Sequence, residues 1–211
     1  MSDLIQGDLR PEGSREKEMT RIKKEVSELT DSPLYDHRKS NGYYPVIGEG
    51  SLNADIVLIG EAPGRTEAET SRPFCGRAGK FLDQLLDSIG LDRESVYITN
   101  IIKDRPKENR DPSDREIAVY GPFLDRQIEI IQPKVIVTLG RFAAEYILTR
   151  YGLSSKWQSI GLIHGQCFSA LTWYGSVTII PLYHPAAAIY DQKLKQVQFS
   201  DIKILRSFIS R

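Results

Sequence analysis

Residues 59–80 read IGEAPGRTEAETSRPFCGRAGK, and this stretch decides the fold. It begins as the end of an apolar run, Asp55-Ile-Val-Leu-Ile-Gly60, and breaks at once into Glu61-Ala-Pro-Gly64. A short β-branched run closed by Gly and Pro is the pattern of a buried parallel strand and its exit turn. In open α/β sheets, ligands bind beyond the carboxyl ends of such strands. Glu61, Glu67, Phe74 and the arginines Arg65, Arg72 and Arg77 therefore fall where a site belongs. Taken alone, Gly60-Glu-Ala-Pro-Gly64 reads as an ordinary strand-to-loop turn.

Downstream, Ala78 to Ile89 places Phe81, Leu82, Leu85, Leu86 and Ile89 on one face and stops at Gly90, which predicts a core-facing helix. Its amino end, beside Arg77 and Lys80, favours an anion such as a DNA phosphate, because the first N–H groups of a helix lack internal partners. A second strand, Ser95 to Lys103, carries Asn100 near its carboxyl end. A buried amide needs partners, so Asn100 either caps a local turn or reads a ligand. From Lys103 to Arg115 basic residues, including Arg105, alternate with acids and prolines. That run is a solvated loop or a phosphate-contacting rim.

Asp111-Pro112 predicts a helix start with Asp as N-cap. Pro133 to Gly140 is a third strand, followed by a helix from Phe142 to Arg150, with the Gly140-Arg141 turn placed to touch phosphate. Residues 151–176 read as irregular, with His164 as a packing histidine. Val177 to Ala188 is a fourth strand that stops at Tyr183-His184-Pro185, and a last helix begins near Phe199. Upstream, residues 1–13 lack periodicity and are expected to be a disordered tail to a domain spanning 14–211. Met19, Ile22, Val26 and Leu29 predict an amphipathic helix over 14–30, and His37 reads as a surface residue.

The fold expected is one α/β domain, three layers α/β/α, around a mostly parallel four-stranded sheet. Three strands then deliver Glu61, Asn100 and His184 to one edge. A chain of 211 residues with 40% hydrophobic content supports one core. A formal net charge of zero excludes a histone-like polycation, so nucleic-acid contact requires a local basic patch. The polar amino terminus and the lack of a long apolar run imply a soluble, cytoplasmic protein without membrane contact. Cys75 and Cys167, without metal-ligand spacing, read as buried, inert thiols. No Gly-x-Gly-x-x-Gly fingerprint of a dinucleotide enzyme occurs.

Four motifs in order, Glu61-Ala-Pro-Gly64, Phe74 with Gly76-Arg-Ala-Gly79, Thr99-Asn100 with Lys103, and His184-Pro-Ala-Ala, resemble those of the uracil-DNA glycosylase superfamily. The resemblance spans about residues 30–205 and is nearest the family 4, thermophile-type branch. It implies a monomeric enzyme that flips uracil out of single- or double-stranded DNA and hydrolyses its N-glycosidic bond without a catalytic metal. By that likeness Phe74 stacks on the base, with Gly60 and Asn100 completing the base pocket, and Asn100 separates uracil from cytosine by its hydrogen-bond pattern. His184 donates to O2 as charge grows there. Glu61 lies in the pocket wall near the sugar, and Glu67 orients the attacking water or crowds the methyl of thymine. Gly64, Arg77, Lys80, Arg105, Arg141, Pro185 and Ala186 contact DNA, and Ile189 or Tyr190 fills the gap left by the base.

Two departures stand out. Where one superfamily branch carries an aspartate base, this chain has Ala62. Family 4 members usually hold an iron–sulfur cluster on four cysteines, but the matching positions here are Leu29, Ser32, Asp104 and about Tyr120. The cluster is therefore expected to be absent, with Asp104 tied to Lys103 or Arg105 instead. A binding module that kept the pocket and lost efficient chemistry is the alternative to an active glycosylase.

Overall fold

The computed structural model describes residues 13–189 and 191–209, so the expected tail, apart from Gly13, and the wedge role of Tyr190 lie outside the described residues. Its centre is a six-stranded sheet. The strands are β1 (Glu49–Gly50), β2 (Ile56–Gly60), β3 (Tyr97–Asn100), β4 (Val135–Leu139), β5 (Phe168–Thr172) and β6 (Gly175–Leu182), in the order β1-β3-β2-β4-β6-β5. The middle four, β3-β2-β4-β6, are parallel as expected. Every residue of β2, β3 and β4 is buried. Near-continuous runs such as IVLIG and VIVTL suit strands covered on both faces.

The four-stranded expectation is corrected by two antiparallel edge strands. β1 is only two residues long, too short to leave a pattern. β5 is built from residues read as irregular, because an edge strand is half solvated: Ala170 is buried while Leu171 is exposed. The Trp173-Tyr174 turn joins it to β6.

Helices cover the sheet on both sides. One face carries α1 (Ser14–Ser27), α5 (Asp114–Ile131) and α6 (Arg141–Arg150), which contribute Ile22, Val26, Leu124, Ile128 and Ile147 to one core. The other carries α4 (Arg77–Asp87), a 3-10 turn over Pro185–Ile189, and the 3-10 segment Ile202–Phe208 that follows α8 (Gln192–Asp201). Short helices α2 (Tyr35–Ser40), α3 (Arg65–Thr70) and α7 (Ile160–Ile163) complete the set. The expected N-cap Asp111 is replaced by Ser113, in a capping box with Glu116 whose carboxylate also holds Arg110. The final helix starts earlier than expected, at Gln192, because the Asp191 side chain accepts from the Lys193 and Leu194 amides.

Three positions set apart in sequence meet in a buried cluster on the α1 and α5 side. Ser32 Oγ and Tyr120 OH are 2.5 Å apart, and Tyr120 OH donates to Asp104 Oδ2 at 2.6 Å. Arg38 Nη1 bonds both Asp104 oxygens at 3.2 and 3.1 Å, and its guanidinium donates to the Val26 and Ser27 carbonyls at the carboxyl end of α1. The expected tie of Asp104 to Lys103 or Arg105 is thus wrong. Lys103 bonds Thr99, Asn100 and Gln127, whereas Arg105 bonds Asn109 and Tyr43. Nor are the cysteines buried: Cys75 is partly exposed in the turn before α4, and Cys167, ahead of the edge strand, is exposed.

Candidate active site

Parallel pairing sets Gly60 of β2 directly beside Asn100 of β3. A Cβ on Gly60 would collide with both Asn100 Oδ1 and the Phe74 ring, so only glycine lets these two side chains meet at the sheet edge. Phe74 reaches that position from a backbone with φ 47°, a left-handed conformation costly for an aromatic residue. Two contacts hold the turn. The Glu67 carboxylate accepts from the Cys75 and Gly76 amides at 3.0 and 2.7 Å, and Gly79 of α4 lets the Phe74 carbonyl approach the helix. From the far side β6 delivers His184, whose ring lies 5.7 Å from that of Phe74. Gly140, at φ 95°, makes room for the His184 Cβ.

These groups face a cleft of about 460 Å³. Asn100 is 1% exposed, yet its Oδ1 has no hydrogen-bond partner among the described residues. A buried acceptor left open costs about 1–3 kcal/mol unless a ligand fills it. His184 Nδ1 accepts from the Ala186 amide at 3.1 Å, which leaves the Nε2 proton free to donate into the cleft. Burial pushes the His184 pKa down to about 4, against a smaller upward pull from Glu67, so the ring is neutral at physiological pH. Glu61 moves the other way. Burial, then the nearby charge of Asp111, raises its pKa to about 7, with Arg141 opposing. A carboxyl poised there suits general-base work at neutral pH.

Of the residues singled out in the sequence, Glu61, Gly64, Glu67, Phe74, Arg77, Asn100, His184 and Ala186 line the cleft. Gly60 lies outside the lining, against Asn100 and Phe74, and Pro185 is buried in the turn whose Ala186 lines the cleft. Lys80 is exposed one turn into α4, outside the lining. Arg105 is occupied by Asn109 and Tyr43, and Arg141 is paired with Asp111 and stacks over the Phe142 ring. Sequence reasoning passed over Asn109, which also lines the cleft, next to Arg110 of the basic run read as a loop or rim. Consecutive positive φ angles at Glu108 and Asn109 fold this loop back over the pocket, a conformation no local pattern announces. His164 bonds Asp201 at 2.7 Å and packs on Tyr183, the packing role expected of it.

A family model described as the uracil DNA glycosylase superfamily matches residues 47–203. The chain is 45% identical over 167 residues to a type-4 uracil-DNA glycosylase of Archaeoglobus fulgidus, covering 79% of this chain and 82% of that protein. It is 41% identical over 189 residues to the type-4 enzyme of Sulfurisphaera tokodaii, covering 89% and 83%. With the type-4 enzyme of Thermotoga maritima the identity is 38% over 200 residues, covering 94% and 98%.

Proposed function

The chain belongs to the uracil-DNA glycosylase superfamily, and from that premise we propose how it removes uracil from DNA. Relatives at 38–45% identity over most of the chain are glycosylases by name, which favours the active enzyme over a binding module. The observation that carries the site assignment is the buried, partnerless Oδ1 of Asn100 facing the cleft. An extruded uracil stacked on Phe74 fills it. N3–H donates to Oδ1, and the amide nitrogen donates to O4. Cytosine offers an acceptor where uracil has N3–H, so it leaves buried groups unpaired and is rejected.

Cleavage breaks the bond between N1 and C1′, with the electron pair moving onto the base toward O2. His184 Nε2–H donates there, and a donor aimed at developing charge stabilises the transition state more than the bound substrate. Glu61 takes a proton from the water whose oxygen bonds C1′, filling the role left vacant by Ala62. Glu67 acts one step back by holding the turn that presents Phe74. The enzyme is read as a cytoplasmic monomer acting on single- or double-stranded DNA, tested by gel filtration and matched oligonucleotides.

The reading includes no cofactor. Iron–sulfur clusters are held by thiolates, whereas the corresponding positions hold Leu29, Ser32, Asp104 and Tyr120, the last three already bonded to one another. These residues do not fit a cluster. Support for the neighbouring loops comes instead from the Arg38–Asp104 pair. Incubation with oligonucleotides carrying uracil, cytosine or thymine, followed by alkaline cleavage of abasic sites, tests the activity. Strand scission only at uracil, undiminished by chelator and with no stoichiometric iron in the protein, is expected. Intact uracil strands would overturn the enzyme reading, and stoichiometric iron would overturn the cofactor reading.

A further inference from the structure

Lys103 lies three residues beyond Asn100 and is completely enclosed, at 0% exposure. Lysines ordinarily keep their ammonium in water. Here Nζ donates to Thr99 Oγ1 at 2.9 Å, to the Asn100 carbonyl at 2.7 Å and to Gln127 Oε1 at 2.5 Å, three neutral partners. The two side-chain acceptors are oriented from behind. The Thr99 hydroxyl donates to the Ile47 carbonyl at 2.6 Å, and Gln127 Nε2 donates to the same carbonyl at 2.9 Å and to Tyr97 OH at 3.0 Å. Their protons are spent, so three lone pairs converge on one point, the complement of an ammonium's three N–H bonds. Burial pushes the lysine pKa well below its ordinary value, and these charge-assisted bonds are the compensation.

A buried cation is a poor way to gain stability, since apolar residues of similar volume often do as well. The arrangement makes more sense as local control of Asn100. Alternation along β3 sends Thr99 toward α5 and Asn100 toward Phe74, so the lysine grips the strand from the face opposite the cleft. β1 pairs with β3 only as far as Ile98, and the Asn100 carbonyl is taken up by Lys103. We propose that Lys103 is a positioning residue for base selection: its tripod fixes the Asn100 backbone, so that the open amide stays aligned with the flipped base. This rests on Asn100 as the reader of the base edge.

The test compares kcat/KM for uracil- and cytosine-containing oligonucleotides, corrected for the folded fraction, in Lys103→Met and Asn100→Ala. A fall in the uracil-to-cytosine ratio of about 10-fold or more in Lys103→Met is expected, the scale of one misplaced buried hydrogen bond. A purely structural lysine would change the folded fraction and leave the ratio alone. An unchanged ratio in Lys103→Met with a collapsed one in Asn100→Ala overturns the lysine's role and spares the reader. Unchanged ratios in both remove Asn100 and Lys103 together. Should Lys103→Met fail to fold, Gln127→Met, which takes away the nearest leg of the tripod, is expected to lower the ratio severalfold. A wild-type ratio there overturns the proposal.

Discussion

Lys103 and Asp104 are neighbours in sequence and both are wholly buried, yet they belong to opposite kinds of polar cluster. Asp104 ends in a closed set: Arg38 and Tyr120 saturate it, and Ser32 completes the chain to the next loop. Lys103 ends in an open one, since the Asn100 it grips keeps an unfilled acceptor in the cleft. Satisfied buried groups brace the fold, and an unsatisfied one that faces a cleft is placed to meet a ligand. Burial alone does not separate the two; leftover hydrogen-bonding capacity does.

The closed set should give the largest effect. Asp104→Ala strands the Arg38 guanidinium in the interior, and breaking a buried pair costs about 3–5 kcal/mol of stability. Thermal or urea unfolding reads this directly. A loss no greater than that of a surface substitution would make the brace decorative. In the open set, His184→Ala is expected to slow single-turnover cleavage by about 100-fold or more, the scale of one lost oxyanion donor. Binding to uracil DNA should change far less, because Phe74 and Asn100 remain. Equal losses in rate and binding would move His184 into the bracing class.

Asn100→Asp comes next. An ionised carboxylate only accepts hydrogen bonds, so uracil loses its O4 donor and selectivity should relax toward cytosine, by about 10-fold. Wild-type selectivity in that variant would take Asn100 out of the pocket. The smallest effect concerns proton chemistry. With a Glu61 pKa near 7, the base is formed as pH rises, so the cleavage rate should climb through neutrality and level off above it. Asp111 contributes to that elevation, and Asp111→Asn should shift the rising limb to lower pH, by less than about one unit. A limb that stays in place would separate the rate profile from Glu61.

The stretches at 55–60, 95–103, 133–140 and 177–188 determined the parallel core of the sheet, because a strand covered on both faces is a near-continuous apolar run. The same local pattern put Glu61, Asn100 and His184 at strand ends, and parallel pairing then brought those ends to one edge. The edge strands β1 and β5 were illegible, one for its length and the other because half-solvated residues show no continuous apolar run. Pairings across the chain were equally hidden. Arg38 finds Asp104 across 66 residues, and Tyr120 meets Ser32 across 88. Local apolar patterning tells that a strand will be buried, but not that a charged side chain such as Asp104 will be. Only the packed structure decides which distant partner meets it inside, and so whether any bonding capacity is left for a substrate.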